Sequence, residues 1–148
     1  PPARSEFSTQ ALQLTLPRFG GGEAWSSADD RGHVVLLDVW AEWCDPCRDS
    51  LPLIGDIAKQ FESRGLKVYA INVDSTPAPI GPFLAKYKVE LPVLLDPDAA
   101  KSEAVLRVKA MPTTLLLDKK GVIRHVHEGF DEEALGTWLD EIEKLLAE

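Results

Sequence analysis

The chain is short of cysteine. It has two in 148 residues, Cys44 and Cys47, and they stand too close together to cross-link distant parts of a fold. A ring that small constrains the unfolded chain far less than a long disulfide loop does, so a structural staple is a poor explanation of the pair. Tetrahedral zinc needs two further ligands, usually from a second CxxC or a close His pair. There is no second CxxC, and His125 and His127 alternate along one expected strand. The residue after the second cysteine is Arg48, not the His that covalent haem attachment requires. Basic residues are also scarce: 16 Lys and Arg stand against 24 Asp and Glu, a net charge of −8. That balance argues against nucleic acid as a partner and against electrostatic attachment to acidic membranes. Long apolar runs are missing too. The longest are Val34–Leu37 and Thr113–Leu117, too short to span a bilayer. No signal-peptide pattern is present. The single Met is at position 111, so Pro1 is not expected to be a natural start unless a Met was removed. Residues 1–8 read as the remnant of a leader, a stalk or an expression-derived end.

What is present is an ordinary globular composition, 45% apolar, sufficient for a single domain over residues 1–148. Pro1–Thr9 reads as a loose N-terminal segment. Leu12, Leu14 and Leu16 alternate with polar residues as a short strand, and Glu23–Trp25 returns after the turn Gly20–Gly22. Ser26–Gly32 reads as a turn or one helical turn. Val34–Trp40 is apolar except for Asp38, as expected of a central strand covered on both faces. A helix starts near the CxxC and runs to about Arg64, with Cys47, Leu51, Ile54, Ala58 and Phe61 on one stripe. Pro52 should kink it and Gly65 end it. Further expectations are a strand at Val68–Val73, a helix at Phe83–Tyr87, a strand at Leu91–Leu95 and a helix at Ala99–Leu106. A hairpin, Thr114–Asp118 with Val122–Glu128, and a last helix, Glu132–Leu146 capped by Asp131, complete the order. Strands separated by helices imply parallel neighbours, and the closing hairpin adds an antiparallel edge. The expected fold is α/β, a central mixed sheet flanked by helices on both faces.

Two thiols two residues apart can close a small ring and exchange electrons with a partner's disulfide. A free thiol with a pKa near ~8.5 is only about 3% thiolate at pH 7, and a CxxC at a helix N-terminus raises that fraction tenfold or more. Cys44 lies where a strand ends and a helix begins, so the first helical N–H groups point at its sulfur. Cys47 is one turn further in and more covered. Cys44 is therefore the expected nucleophile and Cys47 the resolving thiol. Pro46 stiffens the loop, whereas the Asp45 carboxylate disfavours the thiolate and partly offsets the helix. Asp38 is the second signal, because an acid inside an apolar strand is costly unless paired or neutral. Six residues before Cys44, it is positioned to lie beneath Cys47 and take its proton. The alternative is an inert carboxyl, hydrogen-bonded or paired with a Lys. Met111-Pro112-Thr113, just before an apolar run, is the third signal; alone it could be an unremarkable trans proline.

The segment Leu37-Asp38-Val39-Trp40-Ala41-Glu42-Trp43-Cys44-Asp45-Pro46-Cys47-Arg48 resembles the active-site signature of the thioredoxin superfamily. Pro52 falls where such proteins kink the active-site helix. The chain is most similar to the TlpA/ResA-like, redoxin-type branch. Three features carry this: the N-terminal hairpin, the inserted helix and strand Phe83–Leu95, and the pattern Val108…Met111-Pro112-Thr113-Thr114-Leu115…Asp118…Gly121. The resemblance covers about residues 10–146 and implies a thioredoxin-like fold with Cys44, Cys47, Asp38 and Pro112 catalytic. It implies that Pro112 is a cis-proline facing the CxxC that keeps metals off the thiols. It also implies substrate contacts from Trp43, Asp45, Pro46 and Met111, with the Met111 backbone pairing a bound partner as an extra strand. No cofactor or metal is expected beyond the redox-active Cys44–Cys47 disulfide. The implied activity is reduction of disulfide-bearing proteins by a monomer in the periplasm or another extracytoplasmic space, possibly tethered, with a membrane-bound thiol reductant. Two departures stand out. Asp38 matches true thioredoxins better than this branch, which often has Asn. Members acting in cytochrome c maturation often carry an acid where Ser50 stands. Alternatives are a cytoplasmic thioredoxin-like reductase, a thiol peroxidase, and a copper metallochaperone on the same fold. The inserted segment and N-terminal hairpin count against the first. The second lacks a Thr and Arg pattern around Cys44, and the third typically uses CxxxC with a distal His.

Overall fold

A computed structural model describes residues 9–148. The loose segment expected at the N-terminus lies, but for Thr9, outside the described residues. The core is organised around β3 (Val35–Trp40), whose six residues are all buried. It pairs in parallel with β4 (Lys67–Asn72) on one edge and antiparallel with β6 (Thr113–Leu117) on the other. Beyond β4 lies β5 (Val93–Leu95), parallel to it, and beyond β6 lies β7 (Ile123–Glu128), antiparallel. The five-stranded order is β5-β4-β3-β6-β7. β1 (Thr15–Leu16) and β2 (Trp25–Ser26) form a separate two-stranded hairpin. This is the thioredoxin-like α/β architecture that the pattern of strands and helices implies.

Because successive strand residues face opposite sides, β3 feeds two apolar clusters. Val34 and Leu36 join Ile54, Ile57 and Phe61 of α1 (Asp45–Phe61) and Trp138, Ile142 and Leu145 of α4 (Leu135–Leu146). Val35, Leu37 and Val39 join Ile80 and Phe83 of α2 (Ile80–Tyr87) and Leu12, Leu14 and Leu16 from the N-terminal arm. Helices thus cover both faces. α1 passes through Pro52 unbroken. It ends in a 3-10 turn, Glu62–Arg64, closed by Gly65 at φ +89°, a left-handed position that glycine takes without penalty.

Boundaries differ from the sequence reading where local chemistry intervenes. α2 starts at Ile80, three residues before the expected Phe83, and contains Gly81 and Pro82. Proline is tolerated there because the first helical N–H groups have no intrahelical partner to lose. The expected helix Ala99–Leu106 shrinks to α3 (Ala100–Ala104), preceded by a 3-10 turn with Asp98 and Ala99 left-handed at φ 60° and 58°.

 Asp96 sets that start, since its carboxylate accepts from the Lys101 and Ser102 N–H groups at 3.1 and 2.6 Å. The N-terminal strand keeps its expected alternation of burial, but its ladder is only two residues long. Leu12 and Leu14 bond elsewhere, to Gly121 and Ser27. Asp131, expected to cap the last helix, instead caps a 3-10 turn at Glu132–Ala134 that precedes it, accepting from Glu133 N–H at 3.0 Å; α4 itself begins at Leu135 after Ala134, with no side-chain cap. His125 and His127, alternating on β7, both reach the Glu141 carboxylate of α4, at 2.9 and 2.6 Å. They tie the edge strand to the last helix.

Candidate active site

Cys44 is the N-cap of α1 and Cys47 its third residue. The two are disulfide-bonded, with Cα atoms 5.4 Å apart. The Cys47 N–H donates to the Cys44 carbonyl at 3.1 Å, closing the first turn. Pro46, the second helical residue, needs no N–H there. Cys44 retains 4% of its surface and Cys47 none, so the small access that remains is to Cys44.

Asp45 and Pro46 are exposed beside this buried pair. The Asp45 carboxylate is 3.4 Å from the Arg48 guanidinium, one helical turn on. Arg48 thus partly neutralises the one carboxylate next to Cys44. The pairing of Asp45 with Arg48 was not foreseen, although the i,i+3 spacing on a helix is legible in the sequence.

Trp43 is 62% exposed, the largest apolar side chain left in solvent among the described residues. It lines a cleft of about 290 Å³ together with Met111, Val73, Val108, Asp98 and Glu103. The structure therefore brings Trp43 and Met111 to one depression beside the disulfide. The Met111–Pro112 peptide is cis, and Pro112 is buried. A second cleft of about 280 Å³, lined by Glu42, Arg48, Phe83, Lys86 and Tyr87, lies on the α2 side.

Asp38 is completely buried. Its Oδ1 accepts from the Thr114 hydroxyl at 2.8 Å, and its Oδ2 has no partner among the described residues. Burial pushes the carboxyl up to about 7, with the Thr114 hydrogen bond pulling the other way. No lysine faces it across the sheet: the register places Ala70 on one side and Thr114 on the other. The ion-paired alternative is thereby removed.

Two further polar groups lie nearby, of which Asp74 was not singled out from the sequence. Asp74, at the end of the segment after β4, accepts from the Glu42 N–H at 2.9 Å and from Asn72 Nδ2 at 2.8 Å. It anchors the loop that leads into Cys44. Its position just past a strand end was the only local signal. Ser50, one turn after Cys47, is buried with an unpartnered hydroxyl.

A disulfide at a helix N-terminus, with a buried acid on the preceding strand and a cleft beside it, is equipped for dithiol–disulfide exchange. A family model, AhpC/TSA family, matches residues 7–126. The chain belongs to the AhpC/TSA family. Over 123 residues it is 35% identical to the thioredoxin-like protein YneN of Bacillus subtilis, covering 81% of this chain and 70% of YneN. Over 114 residues it is 32% identical to the thiol-disulfide oxidoreductase ResA of the same organism, covering 77% of this chain and only 63% of ResA. Among solved structures, a candidate thiol:disulfide interchange protein DsbE from Chlorobium tepidum superposes with a TM-score of 0.85 at 31% identity. That match covers 95% of this chain and 97% of the other. Within the AhpC/TSA family the chain is thus similar to thiol–disulfide oxidoreductases of the ResA type, in agreement with the Trp43–Cys47 signature.

Proposed function

We propose that the protein reduces disulfides in other proteins through the Cys44–Cys47 couple, in an extracytoplasmic space. The observation that carries the reading is the bonded pair at the N-terminus of α1, with its remaining access at Cys44. In the reduced enzyme the Cys44 thiolate attacks one sulfur of a partner disulfide. That S–S bond breaks, one partner thiolate leaves, and a mixed disulfide forms. Asp38, as carboxylate, takes the proton of Cys47. The Cys47 thiolate then attacks the Cys44 sulfur, the second partner thiolate leaves, and it recovers the proton from Asp38. Two electrons have passed to the partner, and the Cys44–Cys47 disulfide is regenerated.

A carboxyl that titrates near 7 suits a proton acceptor and donor at neutral pH. Trp43 and Met111 border the cleft in which the partner segment lies, and Asp45 and Pro46 form its exposed margin. Pro112 offers no N–H beside the thiols. A membrane-bound thiol reductant returns the disulfide to the dithiol, and the protein works as a monomer. The names of the ResA- and DsbE-type relatives support the activity and, through the resemblance already drawn, the compartment. Apocytochrome c is a weaker candidate partner, because Ser50 stands where the cytochrome-maturation members often carry an acid. Among the described residues no helix is long and apolar enough to cross a membrane.

The test is insulin reduction with dithiol-loaded protein. Cys44→Ser is expected to abolish turnover, a loss of about a thousandfold or more. Cys47→Ser is expected to accumulate the mixed disulfide, visible by non-reducing electrophoresis and mass spectrometry. Wild-type rates from Cys44→Ser would overturn the reading. The reduction potential of the couple then separates a reductant from an oxidant, since about 30 mV corresponds to a tenfold bias.

A further inference from the structure

Asp38 is flanked in the sheet by Ala70 on β4 and Thr114 on β6. Ala70 has nothing to offer a carboxyl. Thr114, itself buried, donates its hydroxyl to Oδ1 at 2.8 Å. Oδ2 is left without a partner among the described residues. The two oxygens of one acid are thus treated differently, and a single side chain makes the difference.

We propose that Thr114 is a positioning residue for thiol–disulfide exchange, whose hydroxyl fixes one oxygen of Asp38 and leaves the other to carry the proton exchanged with Cys47. This rests on the proton-transfer reading of Asp38 given above. The hydroxyl bond persists in both protonation states, because a carboxylic acid protonated on Oδ2 still accepts at Oδ1. It is stronger toward the carboxylate, so it also favours the ionised form. Thr114 therefore orients the acid and holds down the pH at which it becomes a base.

Among the described residues no other charged side chain bonds to Asp38, and His127, opposite Thr114 on β7, is engaged by Glu141 at 2.6 Å. On α1 the buried polar groups are Cys47 and Ser50, while Asp45, Arg48, Asp49, Asp56 and Lys59 are exposed. α4 turns Trp138, Ile142 and Leu145 inward. Its Asp140, Glu143 and Lys144 are exposed, and Glu141 is bound to His125 and His127. The neighbours on β4 and β6 are Ala70 and Thr114 themselves.

The experiment is the pH profile of insulin reduction for wild type, Thr114→Val, Thr114→Ser and Asp38→Asn. Thr114→Val keeps the shape and deletes the hydroxyl. Its midpoint is expected to move up by about one pH unit, which at pH 6 is about a tenfold slower rate. Thr114→Ser restores the hydroxyl and should restore the midpoint, which a purely packing role would not predict. If Asp38→Asn removes the titration while Thr114→Val leaves the wild-type midpoint in place, the Thr114 assignment is wrong and the Asp38 reading stands. If Asp38→Asn leaves the profile unaltered, the Asp38 reading falls and this one with it. Should Thr114→Val fold poorly, Thr114→Ala deletes the same hydroxyl without adding bulk. Titration of the Asp38 carboxyl by carbon-13 NMR in wild type and Thr114→Ala then reads the same shift directly; an unmoved midpoint there overturns the proposal.

Discussion

Asp38 and Asp118 lie in adjoining parts of one sheet, on β3 and just past β6, and 0% and 6% of their surfaces are exposed. Their surroundings push them in opposite directions. Asp118 Oδ1 accepts from the Lys120 and Val122 N–H groups at 2.9 and 3.0 Å, and its Oδ2 from Arg124 at 3.1 Å. Burial raises its pKa, but those donors and the Arg124 charge outweigh burial and hold the carboxyl below its usual range. Asp38 has one donor for two oxygens, and burial prevails. The two acids differ in depth as well as in donors: Asp118 is shallowly covered and has three donors and a counter-charge, whereas Asp38 is deep in the core with one donor. The turn at Asp118 holds the β6–β7 hairpin together, whereas the under-satisfied site at Asp38, on the strand that leads to the CxxC, is kept at a cost in stability.

The largest expected effect follows from that cost. Between pH 4 and pH 7 folded Asp38 retains a proton that the unfolded chain has released, so its contribution to stability falls as pH rises through this window. By pH 8 the buried carboxylate costs about 4 kcal/mol relative to an uncharged group, given a rise from 3.8 to about 7. Asp38→Asn keeps an acceptor for Thr114 and removes the charge. It is expected to stabilise the protein by about that amount in urea titrations at pH 8, with the gain vanishing near pH 4. The same substitution should slow disulfide reduction at pH 7 by about tenfold or more. A variant no more stable than wild type at pH 8 would place Asp38 among the satisfied acids.

Asp118→Ala is the converse. It strips acceptors from two part-buried N–H groups and from Arg124, so a loss of about 2 kcal/mol is expected at pH 7. Because the folded carboxyl sits below its unfolded value, its stabilisation is present above the unfolded pKa and lost as pH falls through the folded one. The initial rate of insulin reduction per folded molecule should stay within about twofold of wild type. A large loss of rate in folded Asp118→Ala would break the division between a structural acid and a working one.

The order of strands and helices was legible because Val34–Trp40, Val68–Val73 and the α1 stripe carry clear periodicities. Asp38 and the CxxC stood out because they violate or punctuate those patterns. Thr114 could not be paired with Asp38 in the same way. They are far apart in sequence, and their contact depends on the antiparallel register of β6 on β3, which no local pattern encodes. The same holds for Asp74 and the Glu42 N–H. The start of α2 is hard to read for the opposite reason: Pro82 is a helix breaker by local rule, yet the first helical turn tolerates it.

Asp45 completes the series as the exposed acid. Its carboxylate is 83% accessible and 3.4 Å from Arg48, so solvent and a counter-charge both weaken its field at Cys44. Asp45→Asn is expected to speed iodoacetamide alkylation of reduced Cys44 by about twofold at pH 7 and low salt, and Arg48→Ala to slow it by a similar factor. Both effects should fade in 1 M salt, where the screening length is about 3 Å. The slower exchange caused by Asp38→Asn should persist there, since a buried group is screened far less. If the Asp45 effect also survived high salt, its carboxylate would be acting through a contact with the thiolate rather than through the solvent-borne field, and it would join Asp38 as an acid proposed to act directly on a thiol.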